Sequence, residues 1–248
     1  DALQEAVAKA EAEHAREEIT VNFAFASEGS EPLVDKGQVM ARQQFVINGY
    51  EFDNVDTPIA EAAPAKKGKA KVQTASNLEV EETNSYVKVT AKRMSVTVGK
   101  LTGMIDYLDV DGEPMLKFRE SMTPEFWRAP TDNDYGASLQ KAMRVWKNPQ
   151  MTLKSFDKSE SQDSVVLTAI FDMPEVKAQL ELRYRINSEG EVAVTEKMTT
   201  DKEAKVADLF RYGMQLQMPA AFSKLEYYGR GPEENYIDRH SSESTRLT

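Results

Sequence analysis

An all-β fold is predicted for this chain, and three observations predict it. Short apolar runs of period two recur along most of its length, turn-forming residues separate them, and no stretch alternates strands with amphipathic helices. At 248 residues there is room for one large β domain or two small ones, and enough mass to bury a core. An apolar content of 40% with 29% charged residues is ordinary for a globular protein.

Residues 2–18 have helix-forming composition, with no Gly or Pro before Gly29. Leu3 and Val7 are the large apolar residues there, so the helix is thinly anchored and reads as an insertion or tail. Ile19, Val21, Phe23 and Phe25 alternate with polar or small residues, which predicts a strand with one buried face. After a polar loop with Gly29, Glu31 and Pro32, a second strand continues through Val39, Ala41, Phe45 and Ile47. Two strands bury too little to stand alone. Residues 56–77 read as a linker, with few apolar anchors, Pro58, Pro64 and the basic run 66–71.

From Leu78 onward short strands follow one another. Tyr86, Val87 and Val89 precede Met94, Val96 and Val98, then a run over 101–108. Asp111-Gly112 predicts a hairpin turn leading to Met115, Leu116 and Phe118. Further strands are expected over 152–156, 165–171, 180–186, 192–198, 210–216 and 225–228. One helical spacing interrupts them: Leu139, Met143 and Trp146, with Ser138 as candidate N-cap.

Two segments carry the chemistry. The first is Phe126-Trp127-Arg128-Ala129-Pro130-Thr131-Asp132-Asn133-Asp134-Tyr135-Gly136. Asp132, Asn133 and Asp134 favour local turn bonding, Pro130 removes a donor, and Gly136 permits positive φ. A loop that displays several polar groups at a strand end suits a polyhydroxylated ligand. Arg128 is either a group at the rim of a sugar pocket, an organiser of the loop by bidentate pairing, or part of a salt bridge within the sandwich. Trp127 and Trp146 could stack on a sugar, although Trp127 at a strand end also fits the core. The second segment holds Gly229, Arg230, Gly231, Pro232, Glu233, Glu234, Asn235, Tyr236, Asp238 and Arg239. Its glycines suit tight turns, Asn235 and Asp238 suit backbone bonding, and Arg230 and Arg239 suit pairing with nearby acids.

Both segments resemble the C-terminal sandwich of glycoside hydrolase family 2 β-galactosidases. The family's R-A-P-x-D-N-D-x-G and G-x-G-P-x-E-N-Y-x-D-R patterns stand here in the same order, roughly a hundred residues apart. The resemblance implies a large antiparallel β-sandwich (supersandwich) of the galactose-mutarotase-like type over 78–248. It also implies the end of an immunoglobulin-like sandwich over 1–55. The sandwich would be incomplete, because the family continues beyond this point with an aromatic sugar platform. The missing initiating Met fits an excised or processed piece.

The resemblance further implies a retaining hydrolase of terminal β-galactosides such as lactose. Its two catalytic glutamates, about 5–5.5 Å apart, lie on a (β/α)₈ barrel that this chain lacks. No catalytic residue is therefore expected here. Arg128, Asp132, Asn133, Asp134 and Gly136 would border the substrate on a loop that shifts when sugar binds, with Gly136 either its hinge or part of a rigid turn. Gly229, Arg230, Gly231, Glu234, Asn235, Asp238 and Arg239 would support them. The magnesium and sodium ions common in the family would sit in the absent barrel, so no cofactor is expected. Partners would be the substrate, the barrel and further copies of the parent. Free-standing carbohydrate binding, or a purely structural module, are the alternatives.

A net charge of −10 argues against nucleic acid and anionic membranes as partners. With no cysteines, disulfides and thiolate metal sites are excluded. His14 reads as solvated, and His240 has no second histidine near it to suggest a metal site. The absence of a long apolar run and of a signal-like start predicts a soluble protein, with a bacterial cytoplasm or periplasm equally open.

Overall fold

The computed structural model describes residues 2–14, 17–29, 32–49, 78–233, 236 and 244–247, so the expected linker and its basic run lie outside the described residues. The chain divides into two compact units, Asp1–Pro58 with Lys224–Thr248, and Ile59–Ser223. The two sequence motifs thus fall in different units.

In the first unit, helix α1 (Ala2–Glu13) buries none of its residues, as the sparse apolar spacing predicts. Strands β1 (Ile19–Ala26) and β2 (Val39–Asn48) pair antiparallel. The expected buried face is not formed: Phe25 is 60% exposed and Phe45 51%, because the hairpin is a two-stranded sheet that buries too little apolar surface among the described residues. Phe23 and Phe45 meet edge to face at 5.7 Å instead.

The second unit is the sandwich. Strands β3 (Leu78–Glu82), β4 (Tyr86–Ala91), β5 (Met94–Gly99), β6 (Ile105–Val110) and β7 (Glu113–Pro114) form one antiparallel sheet in sequence order. The Asp-Gly turn forms as predicted, with Asp111 at φ 54° and Gly112 at φ 79°. The next elements in the chain are β8 (Thr123–Glu125), helices α2 (Asp132–Gly136) and α3 (Leu139–Ala142), and a 3-10 turn, Arg144–Trp146. Strands β9 (Thr152–Glu160), β10 (Ser164–Met173), β11 (Ala178–Asn187) and β12 (Val192–Thr200) make the second sheet, in the order β12-β11-β10-β9. Strand β13 (Gly213–Gln215) returns to pair with β8. The fold is all-β with antiparallel sheets, as predicted.

Period two decides the core. Val87, Val89 and Ala91 of β4 and Val96 and Val98 of β5 are buried together with Val165, Leu167, Ala169 and Phe171 of β10. Leu180, Leu182, Tyr184 and Ile186 of β11 complete that layer. Each is a residue whose neighbours in sequence point the other way, so one face of each sheet is apolar. Tyr184 is fully buried, and its hydroxyl donates to the Gly103 carbonyl at 2.9 Å, tying β11 to the turn before β6. At the sandwich edge, Glu82 meets Lys100 at 2.8 Å and Lys158 at 2.6 Å. Lys100 first, then Lys158, hold the Glu82 carboxyl at about 2.

Three expectations are corrected. The run over 101–108 contains a turn at Gly103 before β6, because Gly103 sits at φ 69°. Ser138 adopts φ 58° and makes no side-chain capping bond, so the helical spacing breaks into α3 and a 3-10 turn. The strand expected over 210–216 shortens to β13.

The chain closes with β14 (Tyr228–Gly231) and β15 (Ser244–Leu247), which pair antiparallel within the first unit. There the Gln44 side chain donates to the Thr245 carbonyl at 2.8 Å and accepts from the Thr245 N–H at 2.9 Å.

Candidate functional site

The first motif leaves the end of the β8–β13 ribbon, where Glu125 pairs with Gly213. Phe126 is buried in the core and faces Trp146 at 5.8 Å. The Trp146 indole donates to the Ala207 carbonyl at 2.8 Å, so this tryptophan is structural. Trp127 is half-buried and meets Phe210 edge to face at 4.8 Å, which favours its packing reading. The Arg128 guanidinium lies over the same Phe210 ring at 4.7 Å.

The loop expected after Pro130 is a single helical turn. Thr131 caps it: the Asp134 N–H donates to the Thr131 hydroxyl, and the Asp134 carboxylate accepts from the Thr131 N–H at 2.7 Å. Arg128 completes the arrangement with two bonds to that carboxylate, Nη1 at 2.6 Å and Nη2 at 3.2 Å. Of the three readings open for Arg128, bidentate organisation of the loop is the one the geometry supports. Asp134 is 5% exposed, and the Arg128 guanidinium, then the Thr131 N–H, hold its carboxyl at about 2.

With Asp134 turned inward, Asp132 and Asn133 are left exposed, and neither side chain makes a hydrogen bond among the described residues. Both present unengaged polar atoms to solvent. Gly136 is the last residue of α2, does not use positive φ, and has open space where a Cβ would stand. The conformational freedom expected of it is therefore not required by this geometry.

Sequence reasoning passed over Thr131 and Phe210. Thr131-Asp132-Asn133-Asp134 carries the S/T-x-x-D/E signature of a capping box, so Thr131 was legible. Phe210 comes from a distant segment, and nothing local marks it as a partner of Arg128.

Two changes test the capped turn. Thr131→Ala is expected to cost about 1 kcal/mol through loss of the cap, read from urea melts. Asp134→Asn is expected to lower Tm at pH 7. The folded carboxyl of Asp134 titrates below its unfolded value, so its contribution is present above about pH 4 and is lost as pH falls toward 2. The variant and the parent should therefore draw together in Tm as pH falls through 2 and converge below it.

In the second motif, Gly229 and Gly231 lie in β14 rather than in turns, without positive φ. A Cβ on Gly231 would run into the Tyr227 hydroxyl and approach the ring carbon bearing it to 3.1 Å, which is the reason for glycine there. Tyr228 donates to Glu18 within the same unit. Arg230 lines an open groove of about 850 Å³ with Arg42, Gln43, Gln44 and Arg246. Glu234, Asn235, Asp238, Arg239 and His240 lie outside the described residues. His14 is exposed beside Glu17 at 3.2 Å. Among the described residues no group of three His, Cys, Asp or Glu side chains could hold a metal, and no helix is long and apolar enough to cross a membrane.

By its sheets and its displayed turn, the molecule is an antiparallel β-sandwich protein with a polar motif carried on a two-stranded ribbon. The chain belongs to the β-galactosidase small chain family, whose sequence profile matches residues 90–247. It is 28% identical over 219 residues to a β-galactosidase of Lactobacillus delbrueckii subsp. bulgaricus, covering 87% of this chain and 21% of that protein. A β-galactosidase of Priestia megaterium (strain DSM 319 / IMG 1521) is 26% identical over 187 residues, 74% of this chain and 18% of that protein. One from Clostridium acetobutylicum is 32% identical over 117 residues, 46% and 13%. The chain thus spans about a fifth of the length of the first two relatives.

Proposed function

We propose that this chain is the non-catalytic C-terminal portion of a retaining β-galactosidase, with the α2 turn at the mouth of the active site. In this reading it also contributes to subunit packing. The observation that carries the proposal is the division of labour within the motif. Arg128, Thr131 and Phe210 fix Asp134 and the backbone, leaving Asp132 and Asn133 free to bond sugar hydroxyls. Family membership and the names of the relatives support the substrate class. The acid and the nucleophile would come from the remainder of the longer protein, and this chain would orient the sugar and shape its entrance.

Sequencing the encoding DNA past both ends is the first test. A frame that continues into a barrel with paired glutamates supports the proposal. A start codon before Asp1 with a stop after Thr248 overturns it in favour of a carbohydrate-binding sandwich. In the longer protein, Asp132→Ala and Asn133→Ala are expected to raise KM for a nitrophenyl β-galactoside about two- to tenfold with Tm unchanged. An unchanged KM in both would remove the turn from the mouth. Hydrolysis by the 248-residue chain alone would overturn its non-catalytic role.

A further inference from the structure

The other end of the β8–β13 ribbon carries a second set of polar groups. There Thr123 pairs with Gln215, while the first motif departs from the Glu125 end. An open pocket of about 280 Å³ is lined by Arg119, Glu120, Ser121, Thr123, Gln215 and Gln217 with Leu216. Beside it Phe118 is 83% exposed, and the Arg119 guanidinium stands over its ring at 5.1 Å.

The backbone holds this pair outward at a cost. Arg119 has φ 66°, the left-handed region that a residue with a Cβ seldom adopts. Some lining groups are occupied: Ser121 donates to Asp106 at 2.7 Å, Lys117 donates to Gln217 at 3.2 Å, and Glu120 lies 3.8 Å from Lys117. The Arg119 guanidinium, the Thr123 hydroxyl and the Gln215 amide make no side-chain hydrogen bond among the described residues. One cation and one carboxylate line the pocket, so its charge is balanced and it selects neither anion nor cation. A mixed set of donors and acceptors next to an exposed aromatic ring, with the Arg119 guanidinium on one of its faces, suits a neutral polyhydroxylated ring, apolar on its C–H face and polar at its edge.

We propose that this pocket is a second carbohydrate subsite, separate from the Asp132–Asn133 turn. A neutral pyranose stacks on Phe118 and bonds through its hydroxyls to Arg119, Thr123 and Gln215. The inference goes beyond the proposed role at an active-site mouth and stands whether or not that role holds.

The test is an amide chemical-shift titration of the isotope-labelled 248-residue chain with methyl β-D-galactopyranoside. Methyl β-D-glucopyranoside is run in parallel, and inorganic phosphate serves as the charged control. Saturable shifts at Phe118, Arg119, Gln215 and Gln217, with millimolar affinity, are expected for the glycosides and not for phosphate. Arg119→Gly separates binding from folding. Glycine relieves the left-handed backbone, so Tm should hold or rise, while binding weakens about tenfold. Phe118→Ala, at a site that packs little, should weaken binding by a similar factor. The proposal is overturned if those amides do not move, if phosphate moves them as strongly as the glycosides, or if both variants bind like the parent. Shifts confined to residues 132–136 overturn this site while supporting the other, so the two readings fail separately.

Discussion

Gly103→Val is expected to destabilise the sandwich by about 3–5 kcal/mol. Gly103 sits at φ 69°, where a side chain costs about 1–2 kcal/mol by itself. A Cβ would also stand 2.6 Å from Phe171 Cζ and 2.9 Å from the Ala169 Cβ, both on a fully packed strand that cannot retreat. Overfilling of that kind adds about 1–3 kcal/mol. Displacing the turn further strains the bond that the buried Tyr184 hydroxyl makes to the Gly103 carbonyl. Urea melts measure the effect. Gly136→Ala is the control: with ordinary φ and open space, it should be neutral or stabilising by about 0.5–1 kcal/mol. Equal losses in the two variants would contradict this account.

Glu196→Gln is expected to stabilise the protein at pH 8 by about 1–3 kcal/mol and to change nothing at pH 4. Glu196 lies on β12 opposite Leu182, with Oε1 buried and without a hydrogen-bond partner among the described residues. Burial pushes its carboxyl up to about 7. Its charge in turn helps to raise the phenols of Tyr184 and Tyr212, after their own burial. The sign follows from proton uptake. The unfolded chain ionises Glu196 at its ordinary value of 4.5, whereas the folded chain holds the proton to about 7. Stability is therefore lost as pH rises between those values and is level on either side. A neutral amide escapes that loss, so the two Tm curves should coincide in acid and diverge through neutrality. Parallel curves across the whole range would show that the carboxyl stays hydrated in the fold.

How much of the fold and the site is legible in the sequence depends on how local the cause is. The strands around Val87–Val98 and Val165–Ile186 can be read directly, because alternation along one strand reports burial by the facing sheet. The Asp111-Gly112 turn is legible because both residues tolerate positive φ. Ser138 misleads because its type suits an N-cap, while its backbone is left-handed and its hydroxyl makes no cap bond. The exposure of β1 and β2 is hidden as well, since Phe23, Phe25 and Phe45 encode an apolar face but not whether anything covers it. At the site, the partnership of Arg128 and Asp134 across one turn is inferable from spacing, but the Phe210 ring beneath Arg128 is a tertiary fact.

Gln44 has a consequence for self-association. Its carboxamide offers Thr245 the same donor and acceptor that a neighbouring peptide group would, so at that register β15 is already satisfied on its outer side. An incoming extended segment from another molecule would have to displace this side chain before it could template on the strand. One glutamine thus closes, at this register, the peptide groups that an open strand edge would offer to an incoming strand.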